Sequence, residues 1–112
     1  MKVEEIARIC YEANRAYCRA HHDYSFLPWI EAPGWQHATN IKGVHFAQSN
    51  PNATPEDSHK SWLAEKRKEG WVFGKTKDPE TKEHPCIREY SELPEIQRKK
   101  DELFLAIVRA LS

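Results

Sequence analysis

Apolar residues recur every three or four positions from Val3 to His21. Val3, Ile6, Ala7, Cys10, Ala13, Asn14 and Tyr17 share one side, while Glu4, Glu5, Arg8, Glu12, Arg15 and Arg19 lie mostly on the other. That period predicts an amphipathic helix ending near His22-Asp23, ahead of Pro28. Residues 24–34 then read as an ordered loop. Pro28 and Pro33 lack backbone donors, yet Phe26, Leu27, Trp29 and Ile30 are too apolar for a solvated linker and are expected to pack back onto the helices. A second helix is predicted from Pro33 to Gln48, with Trp35, Ala38, Ile41 and His45 on one face; Gly43 weakens it. A third starts at Thr54, a good N-cap, with Pro55, Glu56 and Asp57 in its first turn and Gly70 as its stop. His59, Trp62, Lys66 and Glu69 fall on one face of it.

The pattern changes after Gly70. Trp71-Val72-Phe73-Gly74 has strand composition, residues 75–80 have turn chemistry, and Ile87 to Tyr90 is expected to form a short return strand. A last helix is predicted from Pro94 to Leu111, capped by Ser91, with Leu103, Phe104, Ile107, Val108 and Leu111 as its stripe. The expected fold is therefore mainly α: one domain over residues 1–112, about four helices, and a small hairpin or extended element between the last two.

At 112 residues the chain holds one modest core. Seventeen basic and seventeen acidic side chains balance, which argues against a general nucleic-acid binder. No apolar run is long enough for a membrane span, and Met1-Lys2-Val3-Glu4-Glu5 lacks a signal-peptide layout, so the expected location is cytoplasmic. Cys10, Cys18 and Cys86 are an odd set without a Cys-x-x-Cys pair. They read as small buried apolar residues rather than a disulfide or zinc framework.

The charge is uneven along the chain. Residues 60–88 carry eight basic and five acidic side chains, together with Trp62, Trp71 and Phe73. Cations interleaved with aromatics suit a flat anionic ligand, stacked on indole and held at its phosphate by lysine. The plainer alternative makes Trp62 and Trp71 core and the lysines a solvated rim. Catalysis has less support. No phosphate loop, nucleophile elbow or His-x-x-x-His pair occurs, His21-His22-Asp23 diverge around a helix, and His84 two residues from Cys86 names no orienting third group. No cofactor, metal or catalytic residue is assigned, and the chain is expected not to be an enzyme.

A longer string resembles a known family. Ser58-His59-Lys60-Ser61-Trp62, Lys66, Gly70-Trp71-Val72-Phe73-Gly74, Asp78, Lys82, His84-Pro85-Cys86, Tyr90, Leu93-Pro94 and Asp101 follow the register of the ryanodine-receptor (RyR) repeat domain. That family occurs in tandem in calcium-release channels and as stand-alone bacterial and phage proteins. Asn14 to Cys18 and the segments at Trp29 and Trp35 are similar to the stand-alone form. Lys60 stands where the family usually has Glu, and Phe73 where it has Tyr. The motif-bearing core would be 54–111, joined to an N-terminal helix and apolar loop at 3–50. The resemblance implies a mostly helical, non-catalytic module that binds a nucleotide-type ligand as a sensor or carrier, with a suspected role in phage–host conflict. Trp62 and Trp71 would stack the ring. Lys75, Lys77 and Lys82 would hold phosphate. Phe73, His59, Asp78, His84 and Tyr90 would line or shape the site. The alternative is a protein-interaction or assembly domain, a homo-oligomer included, using the apolar loop from Phe26 to Ile30.

Overall fold

A computed structural model describes residues 1–112. Four helices dominate: α1 (Val3–Ala20), α2 (Gly34–Ser49), α3 (Pro55–Lys68) and α4 (Glu95–Leu111). Two 3₁₀ turns, Trp29–Glu31 and Tyr90–Glu92, and two short strands, β1 (Val72–Phe73) and β2 (Glu83–His84), complete the chain. The mainly α expectation holds. No helix is long and apolar enough to cross a membrane.

The principal core joins α1, α2 and α4. Ile6, Ala7 and Cys10 meet Val44 and Ala47, and Leu105 and Val108 close the third side. The inward face of α2 is therefore Ile41, Val44 and Ala47; Ala38 and His45, expected on it, point to solvent. α2 is in contact with all three other helices, so its sides are not divided into one wet and one dry face, and periodicity alone mis-set the stripe. Gly43 has a packing role. A Cβ there would lie 2.8 Å from Cζ of Phe104, so the missing side chain lets the ring seat against α2. Leu105, absent from the predicted stripe, is among the most buried residues.

Local signals set the helix ends. Thr54 and Asp57 form a reciprocal capping box at the start of α3. At its end Gly70 adopts φ +95°, its N–H donates to Arg67 O, and Trp71 N–H donates to Lys66 O. This doubly bonded left-handed cap aims the chain from α3 into β1. α1 ends in the same way at His22, φ 66°, whose N–H donates to Arg19 O while the Asp23 N–H donates to Cys18 O. Ser91 caps nothing; it sits in the second 3₁₀ turn, and Pro94 occupies the N-cap of α4.

The extended region differs from a hairpin. β1 and β2 pair in parallel, Val72 opposite Glu83 and Phe73 opposite His84. An antiparallel bridge between Asp78 and Glu83 folds the intervening loop back on itself, which gives β2 the direction of β1. The return strand is thus 83–84 and not 87–90. Ile87 instead plugs a second core with Leu63 and Trp71, flanked by Trp62.

The apolar loop after α1 packs back only in part. Phe26 and Trp29 meet Tyr11 edge-on at 6.1 and 5.5 Å, and Trp29 stacks on His37 at 3.8 Å. Tyr11 Oη donates to Leu27 O, and Trp29 N–H donates to Glu12. Leu27 and Ile30 remain 53% and 89% exposed, contrary to expectation. The backbone bonds, rather than those two side chains, hold the loop.

Because Leu105 lies where all three helices meet, Leu105→Ala is expected to lower the unfolding free energy by about 2–5 kcal/mol. Urea denaturation with an unchanged slope would show it. A loss below about 1 kcal/mol would contradict this placement of the core.

Candidate functional site

The two cores do not merge. Between them lies a cleft of about 240 Å³, lined from all four helices and from the 71–86 segment. Three indoles border it: Trp35 from α2, Trp62 from α3 and Trp71 just after the α3 cap. Trp35 and Trp71 are 5.5 Å apart, tilted by 48°. Trp62 meets the His84 ring edge-on at 5.2 Å. Trp71 is only 6% exposed and belongs to the second core, so it forms a floor; Trp35, 36% exposed, is the more accessible ring.

Four lysines line the same space, of which Lys42 is exposed and paired with Glu65. Lys66, 3% exposed, donates from Nζ to Thr39 Oγ1 at 2.6 Å and to Glu69 Oε1 at 3.3 Å. Its ammonium also lies 5.2 Å from the Trp35 ring centre and 5.8 Å from that of Trp71. Lys77 sits over Phe26 at 4.1 Å and near Trp35 at 5.8 Å, and Lys100 of α4 reaches the other approach to Phe26 at 5.8 Å. Neither Lys77 nor Lys100 takes part in an ion pair. Cations over ring faces are attracted by the aromatic quadrupole, but that leaves their charge available to a ligand.

These charges and the scarcity of water shift the neighbouring groups. Burial, aided by Lys77, Lys100 and Lys66, holds the His84 imidazole down to about 3, so it is neutral at physiological pH. Its Nδ1 accepts the Cys86 N–H at 2.9 Å, which places the ring proton on Nε2 and makes that atom a donor. Burial raises the Asp101 carboxyl to about 7 against the opposing pull of Lys100. Burial also raises the Cys86 thiol, so it is not a poised nucleophile. His59, 3% exposed, donates from Nε2 to Arg88 O at 2.7 Å and ties α3 to the segment after β2.

Of the residues singled out from sequence, the cleft gathers Trp62, Trp71, His59, Lys77 and His84. The other five lie outside its lining. Lys75 is exposed. Lys82 donates to Glu69 O and so caps the α3 terminus. Asp78 accepts from Glu80 N–H within the turn. Phe73 is largely exposed beneath the Arg88 guanidinium, and Tyr90 stands 6.0 Å from His59. Trp35, Lys66, Lys100, Phe26 and Asp101 complete the site without having been assigned to it. Lys66, one helical turn after Trp62, and Asp101 stood in the family string, and Trp35 in the segment before it; Lys100 carried no motif signal.

Residues 38–111 match the family model of the RyR domain. The match starts inside α2 and ends with α4. It therefore takes in Trp62, Lys66, Trp71, Lys77, His84 and Lys100, whereas Trp35 and Phe26 precede it.

The raised Asp101 carboxyl has a consequence for stability. The folded protein holds that proton more tightly than the unfolded chain, so its contribution is complete below pH about 4 and is lost as pH rises through about 7. The depressed His84 acts oppositely, losing stability as pH falls from about 6.5 toward 3, but is common to wild type and variant. Asp101→Asn should therefore gain on the wild type from pH 4 to pH 8 in urea denaturation. An equal difference at both pH values would show that the carboxyl is not desolvated.

Proposed function

The chain belongs to the RyR domain family, and from that premise we propose that it is a non-catalytic module binding a small aromatic anion of the nucleotide kind, in a sensor or carrier role. One observation carries the reading: three indoles and four lysines border a single cleft, and two of the lysines, Lys77 and Lys100, are in no ion pair. Trp35 and Trp62 offer the accessible faces for a base, with Trp71 beneath. Lys77 and Lys100 supply the field for phosphate, and Lys66 adds charge from the floor. The neutral His84 donates from Nε2, and the Asp101 carboxyl, protonated over part of the physiological range, can donate as well. The volume, about 240 Å³, falls below the usual range of ligand pockets, roughly 300–1,000 Å³, which favours one base with its phosphorylated sugar over a dinucleotide.

A thermal-shift panel of nucleotides, cyclic nucleotides and dinucleotides tests this. Binding at a hundredfold excess over Kd stabilises by about 2.7 kcal/mol, a rise of roughly 10 °C for a domain of this size. The rise should vanish in Trp35→Ala, whose own melting temperature should stay near wild type because the ring is not core. It should require roughly tenfold more ligand in Lys100→Gln. No shift across the panel would overturn the reading.

A second reading, an interaction or assembly domain, is supported by the run of exposed apolar side chains at Tyr24, Leu27 and Ile30. Sedimentation velocity would then show self-association that Ile30→Asp abolishes. A monomer at high concentration, together with a positive ligand panel, would remove it.

A further inference from the structure

The cleft keeps one carboxylate that the fold does not use. Three acids line it: Glu65, Glu69 and Asp101. Glu65 pairs with Lys42, and Glu69 with Lys42 and Lys66. Asp101 of α4 takes part in no ion pair and accepts no hydrogen bond from the chain. Its neighbours place it on one side of the cleft. Its field reaches the Cys86 thiol and the Tyr90 hydroxyl. Tyr90 stands 6.0 Å from the His59 ring, and His59 lies 5.5 Å from Trp62. The cationic side is elsewhere: Lys77 and Lys100 approach Phe26, and Lys66 lies by Trp35.

A bare carboxylate repels a phosphate ligand unless that ligand brings hydrogen-bond donors to it. An ionised carboxylate only accepts, and two parallel bonds to it give both strength and selectivity. Among the common nucleobases, guanine carries two adjacent donors, N1–H and N2–H, on its pairing edge. Adenine and cytosine set a ring-nitrogen acceptor beside their amino group, and uracil flanks its single N–H with carbonyls. Guanine also presents an acceptor, O6, next to N1. His84 lines the cleft edge-on to Trp62 at 5.2 Å, and its Nε2–H, left over from the Cys86 bond at Nδ1, is free to answer such an acceptor.

We infer that Asp101 reads the base: the cleft selects guanine nucleotides, with N1–H and N2–H on the Asp101 carboxylate, the ring against Trp62, and the phosphate at Lys77 and Lys100. This rests on the cleft being the nucleotide site proposed above. It makes Asp101 a specificity-determining residue and gives the unpaired acid of a cation-rich cleft a partner.

Calorimetric titration with nucleoside 5′-monophosphates tests it at pH 8, where the carboxyl, raised by burial to about 7, is ionised. GMP should bind roughly tenfold to a hundredfold tighter than AMP. IMP, which lacks the N2 amino group, should bind roughly tenfold more weakly than GMP. Asp101→Asn keeps the shape but turns one acceptor into a donor. It should move the preference to XMP, whose O2 accepts where guanine donates. AMP binding as tightly as GMP, or a folded Asp101→Asn variant with an unchanged ratio of GMP to XMP affinity, would overturn the inference and leave the nucleotide reading standing. If none of these nucleotides binds the wild type, both fall. The wild-type order of GMP, IMP and AMP decides the matter without the variant.

Discussion

A buried ammonium ties the molecule together. Lys66 is almost wholly removed from water, and a charge so placed is tolerable only when its donors are answered. Thr39 on α2 and Glu69 at the end of α3 answer them, and the rings of Trp35 and Trp71 lie within cation–π range. The backbone of the same residue accepts the Trp71 N–H that closes the left-handed cap at Gly70. One residue thus sets the spacing of α2 and α3, the angle at which the chain leaves α3, and the tilt of two indoles. The cleft takes its shape from that knot.

The cleft exists because aliphatic packing stops short of it. Ile6, Val44, Leu105 and Val108 fill the three-helix core, and Leu63 and Ile87 anchor the smaller one. Between them lie rings and cations, which pack against each other through the quadrupole and not through dispersion alone. Trp71 serves both the second core and the cleft floor. His84 likewise belongs to β2, to the turn closed by Cys86 N–H, and to the cleft wall. Structural and cleft-lining duties fall on the same side chains here, so substituting Trp71 disturbs both the second core and the cleft floor.

Much of the fold was legible beforehand. α1 and α3 were readable because one side of each is dry and because Thr54, Pro55 and Gly70 punctuate the second so clearly. α2 had correct ends but the wrong face, since it contacts three other helices and its buried positions do not form one simple stripe. The strand at Val72–Phe73 was readable from composition. Its partner was not, because Glu83-His84 has no strand character and pairs only once the Asp78–Glu83 bridge has turned the loop. In the site, Trp62, Trp71, His59 and His84 were found from their motif spacing. Lys75 and Lys82 were grouped with Lys77 by nearness in sequence, which says little about direction in a turn.

What the sequence by itself determined is the family and the local grammar: four helices, the caps of α3, the aromatic-rich and cation-rich stretch at 60–88, and a chain with balanced charge. Each of these follows from residues within a few positions of one another. The tertiary structure decided which cations reach the cleft. Lys100 and Trp35 come from helices far from that stretch, and Phe26 comes from a loop outside the family match. They reach Lys77 only when α1, α2 and α4 close around their common core. Desolvation of Lys77, His84 and Asp101 likewise belongs to no segment alone, because it arises where separate elements exclude water together.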